Sequence, residues 1–171
     1  MKNIIFVGGI HGVGKGTICK AIARSNNIIH YSASEIIRWK EISLKENKQV
    51  LDITSTQKRL LTGLEMLIKD DNLYILDAHY CLLNARRKPE RINEETFHLI
   101  NPKVFAIVVE KEEVIYERLK DRDSIHYDLS LLQEFQKMEI EYAKFLSDQF
   151  NRPYIEIKDQ NSSMLIKYLA E

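Results

Sequence analysis

Cysteine is close to absent from this chain. Cys19 and Cys81 are the only two in 171 residues, and no CxxC or Cys/His spacing joins them, which argues against a zinc site or a disulfide framework. Both are expected to be reduced and partly buried. Charge of one sign is missing too: 25 Lys and Arg balance 25 Asp and Glu, so no long-range field draws in extended nucleic acid. Long hydrophobic runs are also missing. The apolar stretch from Ile4 to Val7 is far too short for a signal-peptide core or a membrane span, and glycines interrupt it at once. The expectation is a cytoplasmic protein with no membrane partner. Internal repeats and low-complexity linkers are absent, and nothing in the composition sets the oligomeric state.

What the chain does have is globular composition, 44% hydrophobic and 29% charged, at a length that suits one domain over residues 1–171. Apolar strands alternate with helical periodicity along it. "NIIFVG" reads as a buried strand and "KGTICKAIARSN" as a helix, followed by the short strand "IIHYS" and a helical segment "ASEIIRWKEISLKEN" that Ser34 would cap. "TSTQKRLLTGLEMLIKDD" continues as helix, with Gly63 a weak point. The strand "LYILD" ends on Asp77, and the polar stretch holding Arg86, Arg87, Lys88, Pro89 and Arg91 reads as a surface loop. The short helix "EETFHLI", the strand "KVFAIVVE" and the helix "EEVIYERLKDR" come next. A long helix from Leu129 to about Phe150 is predicted to bury Leu132, Phe135, Met138, Tyr142, Phe145 and Leu146, and Pro153 ends it before the strand "YIEIK" and a final short helix.

Five buried strands interleaved with helices predict an α/β fold with an open parallel sheet and helices on both faces. Ligands in such sheets bind beyond the carboxyl ends of the strands. Three features fall there: a glycine loop after strand one, Asp77 and His79 after strand three, and the turn "KDQN" after strand five.

The loop is the most informative stretch. Gly9, Gly12, Gly14 and Gly16 lie within eight residues between an apolar strand and a helix start. Glycines there let successive backbone N–H groups turn inward and cradle phosphate oxygens at a positive helix N-terminus, and Lys15 adds a point charge at the β- and γ-phosphates. The residue after Lys15 is Gly16, where the common pattern has Ser or Thr. Farther along, Arg118 and Arg122 are four apart on one helix and share a face, so they can grip one polyphosphate.

The order "GGIHGVGKGT" resembles the GxxGxGKGT loop of adenylate kinases and related nucleoside monophosphate kinases, in which Gly follows the lysine. That resemblance implies a three-layer P-loop NTPase fold with a five-stranded parallel sheet, a helical monophosphate-binding insertion at about 32–70 and a short lid at about 118–128. It implies ATP as donor, Mg²⁺ held mainly by phosphates and waters, and small-molecule nucleotide substrates. On this pattern Gly9, Gly12, Val13, Gly14, Lys15, Gly16 and Thr17 bind the donor phosphates, with Thr17 on the α-phosphate. His11 stands where many adenylate kinases carry Pro, and a loop-shaping role is expected for it.

The resemblance extends across the chain, most closely to compact archaeal-type adenylate kinases. "YSASEIIRWKE" is similar to the start of the monophosphate-binding region, placing Ser32, Ser34 and Arg38 at the acceptor. "TSTQKR" resembles the family's Thr-Gln-Lys-Arg stretch, with Gln57 and Arg59 on the acceptor side. "ILDAHY" resembles the Asp-Thr-His turn, giving Asp77 as orienter of the Mg²⁺ waters and His79 as an acceptor contact. Lys158, Asp159 and Gln160 fall at the adenine-contacting turn. Lys15, Arg118, Arg122 and Asp77 are then the catalytic set for transfer of the γ-phosphate of ATP to a nucleoside monophosphate, AMP or a deoxynucleotide. Two other readings of the residues stay open: a P-loop kinase for a small metabolite or a nucleic-acid 5′ end, and an ATP-dependent regulatory switch. The basic run from Arg86 to Arg91 is outside the family pattern, either a solvated loop or a recogniser of an unusual acceptor.

Overall fold

A computed structural model describes residues 3–37, 53–68, 72–123, 127–159 and 161–169. Its centre is a five-stranded parallel sheet in the order β2-β3-β1-β6-β7. The strands are β1 (Asn3–Gly8), β2 (Ile29–Ser32), β3 (Leu73–Asp77), β6 (Val104–Val109) and β7 (Tyr154–Lys158). In β1 and β6 consecutive side chains are buried. Residues adjacent in a strand point to opposite faces, so both faces of the sheet are covered, as parallel sheets require. The helices that cover them are α1 (Lys15–Asn26), α2 (Ala33–Ile36), α3 (Ile53–Leu67), α4 (Glu94–Ile100), α5 (Glu112–Asp123), α6 (Leu129–Phe150) and α7 (Ser163–Leu169).

Local chemistry explains where the helices stop and start. Asn27, Asn101 and Asn151 end α1, α4 and α6 in the left-handed conformation, with φ of 52°, 50° and 48°, which Asn tolerates better than most residues. The side chains of Asn93 and Asp128 accept the Glu95 and Ser130 N–H groups at the starts of α4 and α6, each cap being worth about 1 kcal/mol. Ser34 does not cap a helix as expected. Ser32 holds the cap position of α2 with extended backbone, and its hydroxyl lies 2.8 Å from that of Ser34 instead of capping a backbone N–H. The rest of the predicted helix, 38–52, lies outside the described residues. Gly63 is less a weak point than a contact: a Cβ there would collide with Ile36, so glycine lets α2 pack on α3.

Two further expectations are corrected. The basic run is not a loop but the tip and return strand of an antiparallel hairpin, β4 (Cys81–Leu83) with β5 (Pro89–Arg91). Asn84 organises its turn, its side-chain oxygen accepting the N–H of Arg86 at 2.9 Å and of Lys88 at 3.1 Å. The guanidinium of Arg91 lies over the Tyr142 ring, 5.0 Å from its centroid, and this pins the hairpin to α6. Phe145 is exposed rather than buried, because the inward stripe of α6 passes through Glu139 and Ala143 in place of the expected Phe145.

The topology also fixes where a ligand binds. After β1 the chain builds β2 and β3 on one side, then crosses to β6 and β7 on the other. The crossings diverge at β1, leaving a crevice at its carboxyl end. The glycine loop sits in that crevice.

Candidate active site

The loop from Gly9 to Gly14 joins β1 to α1 and turns tightly enough that Gly9, Gly12 and Gly14 all have positive φ. Gly12 is held against α5: at φ +83° a Cβ would be strained and would press on Leu119 at 2.8 Å. The loop and α5 are therefore packed as one piece.

Lys15 begins α1 and is only 7% exposed. Its ammonium donates to the carbonyls of Gly9 at 2.7 Å and Ile10 at 3.3 Å and lies 4.0 Å from the Asp77 carboxylate. Asp77, at the end of β3, is pushed above the usual carboxylate range by burial, and Lys15 pulls it back down. Gly16 faces the same carboxylate, since a Cβ at position 16 would come within 3.3 Å of Asp77 Oδ2. The glycine that replaces Ser or Thr after the lysine thus leaves room for the Asp77 carboxylate.

Arg118 reaches across from α5. It donates to the loop carbonyls of Gly12 at 3.4 Å and Val13 at 3.2 Å and pairs with Glu110 at 3.1 Å. Arg122 lies one turn farther along α5, and its side chain lies outside the described residues, as do Arg38 and Gln160.

A cavity of about 550 Å³ joins these groups to the acceptor side predicted from the sequence. His11, Gly12, Gly14, Lys15, Gly16 and Thr17 line it from the loop, Arg118 from α5, and Asp77 and His79 from the end of β3. Ser32, Ser34 and Gln57 line it from β2, α2 and α3, while Leu60, Leu82, Phe97 and Ile100 give it an apolar wall. The side-chain oxygen of Gln57 is buried without a hydrogen-bond partner among the described residues. The rings of His11 and His79 lie 4.4 Å apart, centroid to centroid. Five predicted residues are not among the described residues lining the cavity. Gly9 and Val13 are buried within the loop, Arg59 is exposed on α3, Lys158 is paired with Glu156 at 2.7 Å, and Asp159 is exposed.

Sequence reasoning missed one residue that the geometry makes prominent. Glu139, in the middle of α6, is fully buried and accepts three backbone N–H groups, those of Gly9, Tyr80 and Cys81. Burial pushes its carboxyl up to about 7, against the opposing pull of Lys15 and those three donors. Lys20 and Thr56, both lining the cavity, and Glu110, the partner of Arg118, were also missed. An acid in an apolar helical stripe was the one signal that pointed to Glu139.

A glycine loop at the carboxyl end of the central strand, a lysine held over it and an arginine folded onto it define a P-loop phosphotransferase. Residues 8–136 match the family model described as an AAA domain. The chain is 30% identical over 162 residues to the adenylate kinase of Prochlorococcus marinus (strain MIT 9515), covering 85% of this chain and 86% of that one. Solved structures share the fold: shikimate kinase from Acinetobacter baumannii, in complex with shikimate, has a TM-score of 0.57 at 14% identity, covering 99% of this chain and 91% of that one. A gluconokinase from Sinorhizobium meliloti 1021 has a TM-score of 0.54, again at 14% identity, covering 98% and 89%. The chain belongs to the adenylate kinase-like P-loop nucleoside monophosphate kinases, and so is a nucleotide kinase. Among the described residues no helix is long and apolar enough to cross a membrane.

Proposed function

We propose that the protein transfers the γ-phosphate of ATP directly to a nucleoside monophosphate, AMP or a deoxynucleotide, giving two diphosphates. The observation that carries this reading is one cavity of about 550 Å³ lined by the phosphate loop, Asp77, Ser32, Ser34 and Gln57, so that donor and acceptor phosphates can meet within it. An acceptor phosphate oxygen forms a bond to the γ-phosphorus as the bond to the β–γ bridging oxygen breaks, so no side-chain nucleophile is needed.

Each residue then has a defined task. The loop N–H groups from Gly12 to Thr17 hold the β-phosphate, with Thr17 on the α-phosphate. Lys15 exchanges the Gly9 and Ile10 carbonyls for phosphate oxygens. Arg118, joined by Arg122, leaves the loop carbonyls to neutralise equatorial oxygens whose charge spreads in the transition state. His79, Ser32, Ser34 and Gln57 hold the acceptor, with Arg38 and Arg59 near its phosphate, and the backbone from Lys158 to Gln160 contacts adenine. The acceptor-binding region spans about 32–70 and the lid about 118–128, within one domain covering residues 1–171. Closure of the lid keeps water from the γ-phosphate.

Magnesium suits this donor set. One partly buried carboxylate, Asp77, lies beside Lys15 and Gly16, and no cluster of three or more acidic, His or Cys ligands occurs among the described residues. Such a site matches a hard cation that keeps its waters and phosphate ligands and takes only orientation from the protein. When bound, Mg²⁺ would supply positive charge to the phosphate oxygens, with the Asp77 carboxylate orienting its waters.

A coupled assay of ADP formation over a panel of ribo- and deoxynucleoside monophosphates, with shikimate as a further arm, tests the acceptor class. Turnover with a monophosphate supports the reading. Turnover with shikimate alone, or with no acceptor while ATP still binds, overturns it.

A further inference from the structure

Four backbone and side-chain groups from two stretches of the chain, Gly9 and His79 to Cys81, converge on one carboxylate. Glu139 Oε2 accepts the N–H of Gly9 at 3.0 Å, across 130 residues of chain. Its Oε1 accepts the N–H of Tyr80 and of Cys81, each at 3.1 Å. His79 Nδ1 stands 3.5 Å from the same Oε1. Gly9 opens the phosphate loop, while Tyr80 and Cys81 follow directly on the turn that carries Asp77 and His79.

A buried carboxylate is costly unless its oxygens are filled. Here the N–H groups that fill them belong to the two halves of the site. The other face of Gly9 is also occupied, its carbonyl accepting Lys15 at 2.7 Å. Gly9 is therefore held between the buried acid below and the phosphate-binding lysine above. The same acid anchors the peptide units just beyond His79. Leucine or glutamine at position 139 would satisfy the helical pattern of α6, yet neither offers two carboxyl oxygens to three convergent donors.

We propose that Glu139 is a positioning residue that clamps the phosphate loop to the Asp77–His79 turn and so fixes the spacing between Lys15 and Asp77 during phosphoryl transfer. It touches neither nucleotide. It acts through Gly9 on Lys15 and through Tyr80 and Cys81 on the strand-three turn. The clamp rests on the reading that this loop holds the donor phosphates, but it does not depend on which acceptor is used.

Glu139→Gln is the direct test, because glutamine keeps the volume but turns one acceptor oxygen into a donor facing a backbone N–H. Expected is a fall in kcat of roughly 10²-fold, the scale of a misplacement near 1 Å, with a much smaller change in the KM for ATP. A control on the same helix, Ser147→Ala, removes a buried hydrogen bond to the Arg152 carbonyl and is expected to lower the melting temperature while leaving kcat unchanged. Wild-type kcat and KM in Glu139→Gln would overturn the proposal. Hydrogen exchange on the wild-type protein tests the clamp without a variant or an assay. The Gly9 N–H is expected to exchange as slowly as those of β1 and β6 although it lies in a loop, and exchange as fast as that of exposed loop residues would overturn the clamp. If the clamp holds in exchange while no monophosphate is phosphorylated, the acceptor reading fails and the clamp does not.

Discussion

The Lys15 ammonium lies 4.0 Å from the Asp77 carboxylate while its hydrogen bonds go to the carbonyls of Gly9 and Ile10. The loop's own carbonyls thus take up the lysine's donors, and on the proposed function phosphate oxygens replace them. Lys15→Met removes the charge and keeps the apolar stem. Transfer is expected to fall by about 10³-fold or more, and Asp77, having lost the charge that holds its ionised form, is expected to titrate at still higher pH. Steady-state kinetics and a carboxylate titration followed by NMR check the two effects.

Arg118 divides its guanidinium between loop carbonyls and Glu110. In Arg118→Ala the oxygens of the transferring group lose a partner that they need most when their charge spreads. A loss of about 10²-fold in kcat is expected, with ATP affinity changed much less, and comparison of kcat with ATP binding by calorimetry checks it. Normal turnover would remove Arg118 from the mechanism.

Gly12→Ala places a Cβ at φ +83° against Leu119. The strain is expected to cost about 1–3 kcal/mol of stability, read as a lower urea midpoint, and to push α5 and Arg118 away from the loop. Turnover falls as a result.

The pH dependence has a definite sign. Glu139 is raised from 4.5 to about 7 by burial, and Asp77 is raised in the same direction. A group with a raised folded pKa binds more protons in the folded state between the two values, so its contribution is fully present below pH 4.5 and is lost as pH rises through about 7. For Glu139 this amounts to about 3 kcal/mol. Thermal unfolding at a series of pH values is expected to show a declining component over that window, and Glu139→Gln is expected to flatten it.

Gln57 lines the cavity, and its buried side-chain oxygen has no hydrogen-bond partner among the described residues. Gln57→Leu leaves a donor on the acceptor without its partner, a cost of about 1–3 kcal/mol. The acceptor KM is expected to rise while the ATP KM stays near its wild-type value, as initial-rate measurements over both substrates would record.

The five-stranded sheet and the phosphate loop were legible in the sequence because their signals are local. Buried parallel strands read as unbroken apolar runs, and Gly12, Gly14 and Lys15 must be close in sequence to wrap one phosphate. The hairpin was not legible, since its three-residue strands are too short for periodicity and Arg86, Arg87 and Lys88 mask a turn that depends on the Asn84 side chain. Glu139 is the instructive omission. It stands between Phe135 and Tyr142 on the inward stripe of α6, where an acid breaks the apolar pattern, but its partners lie 58, 59 and 130 residues away. Only the folded chain brings them together.

The central claim is direct phosphoryl transfer to a monophosphate, and following the label from γ-labelled ATP tests it most directly. With AMP or a deoxynucleoside monophosphate present, the label is expected to appear in the nucleoside diphosphate, and Lys15→Met is expected to abolish the signal. Label recovered only as inorganic phosphate, at a rate indifferent to any monophosphate, would contradict it.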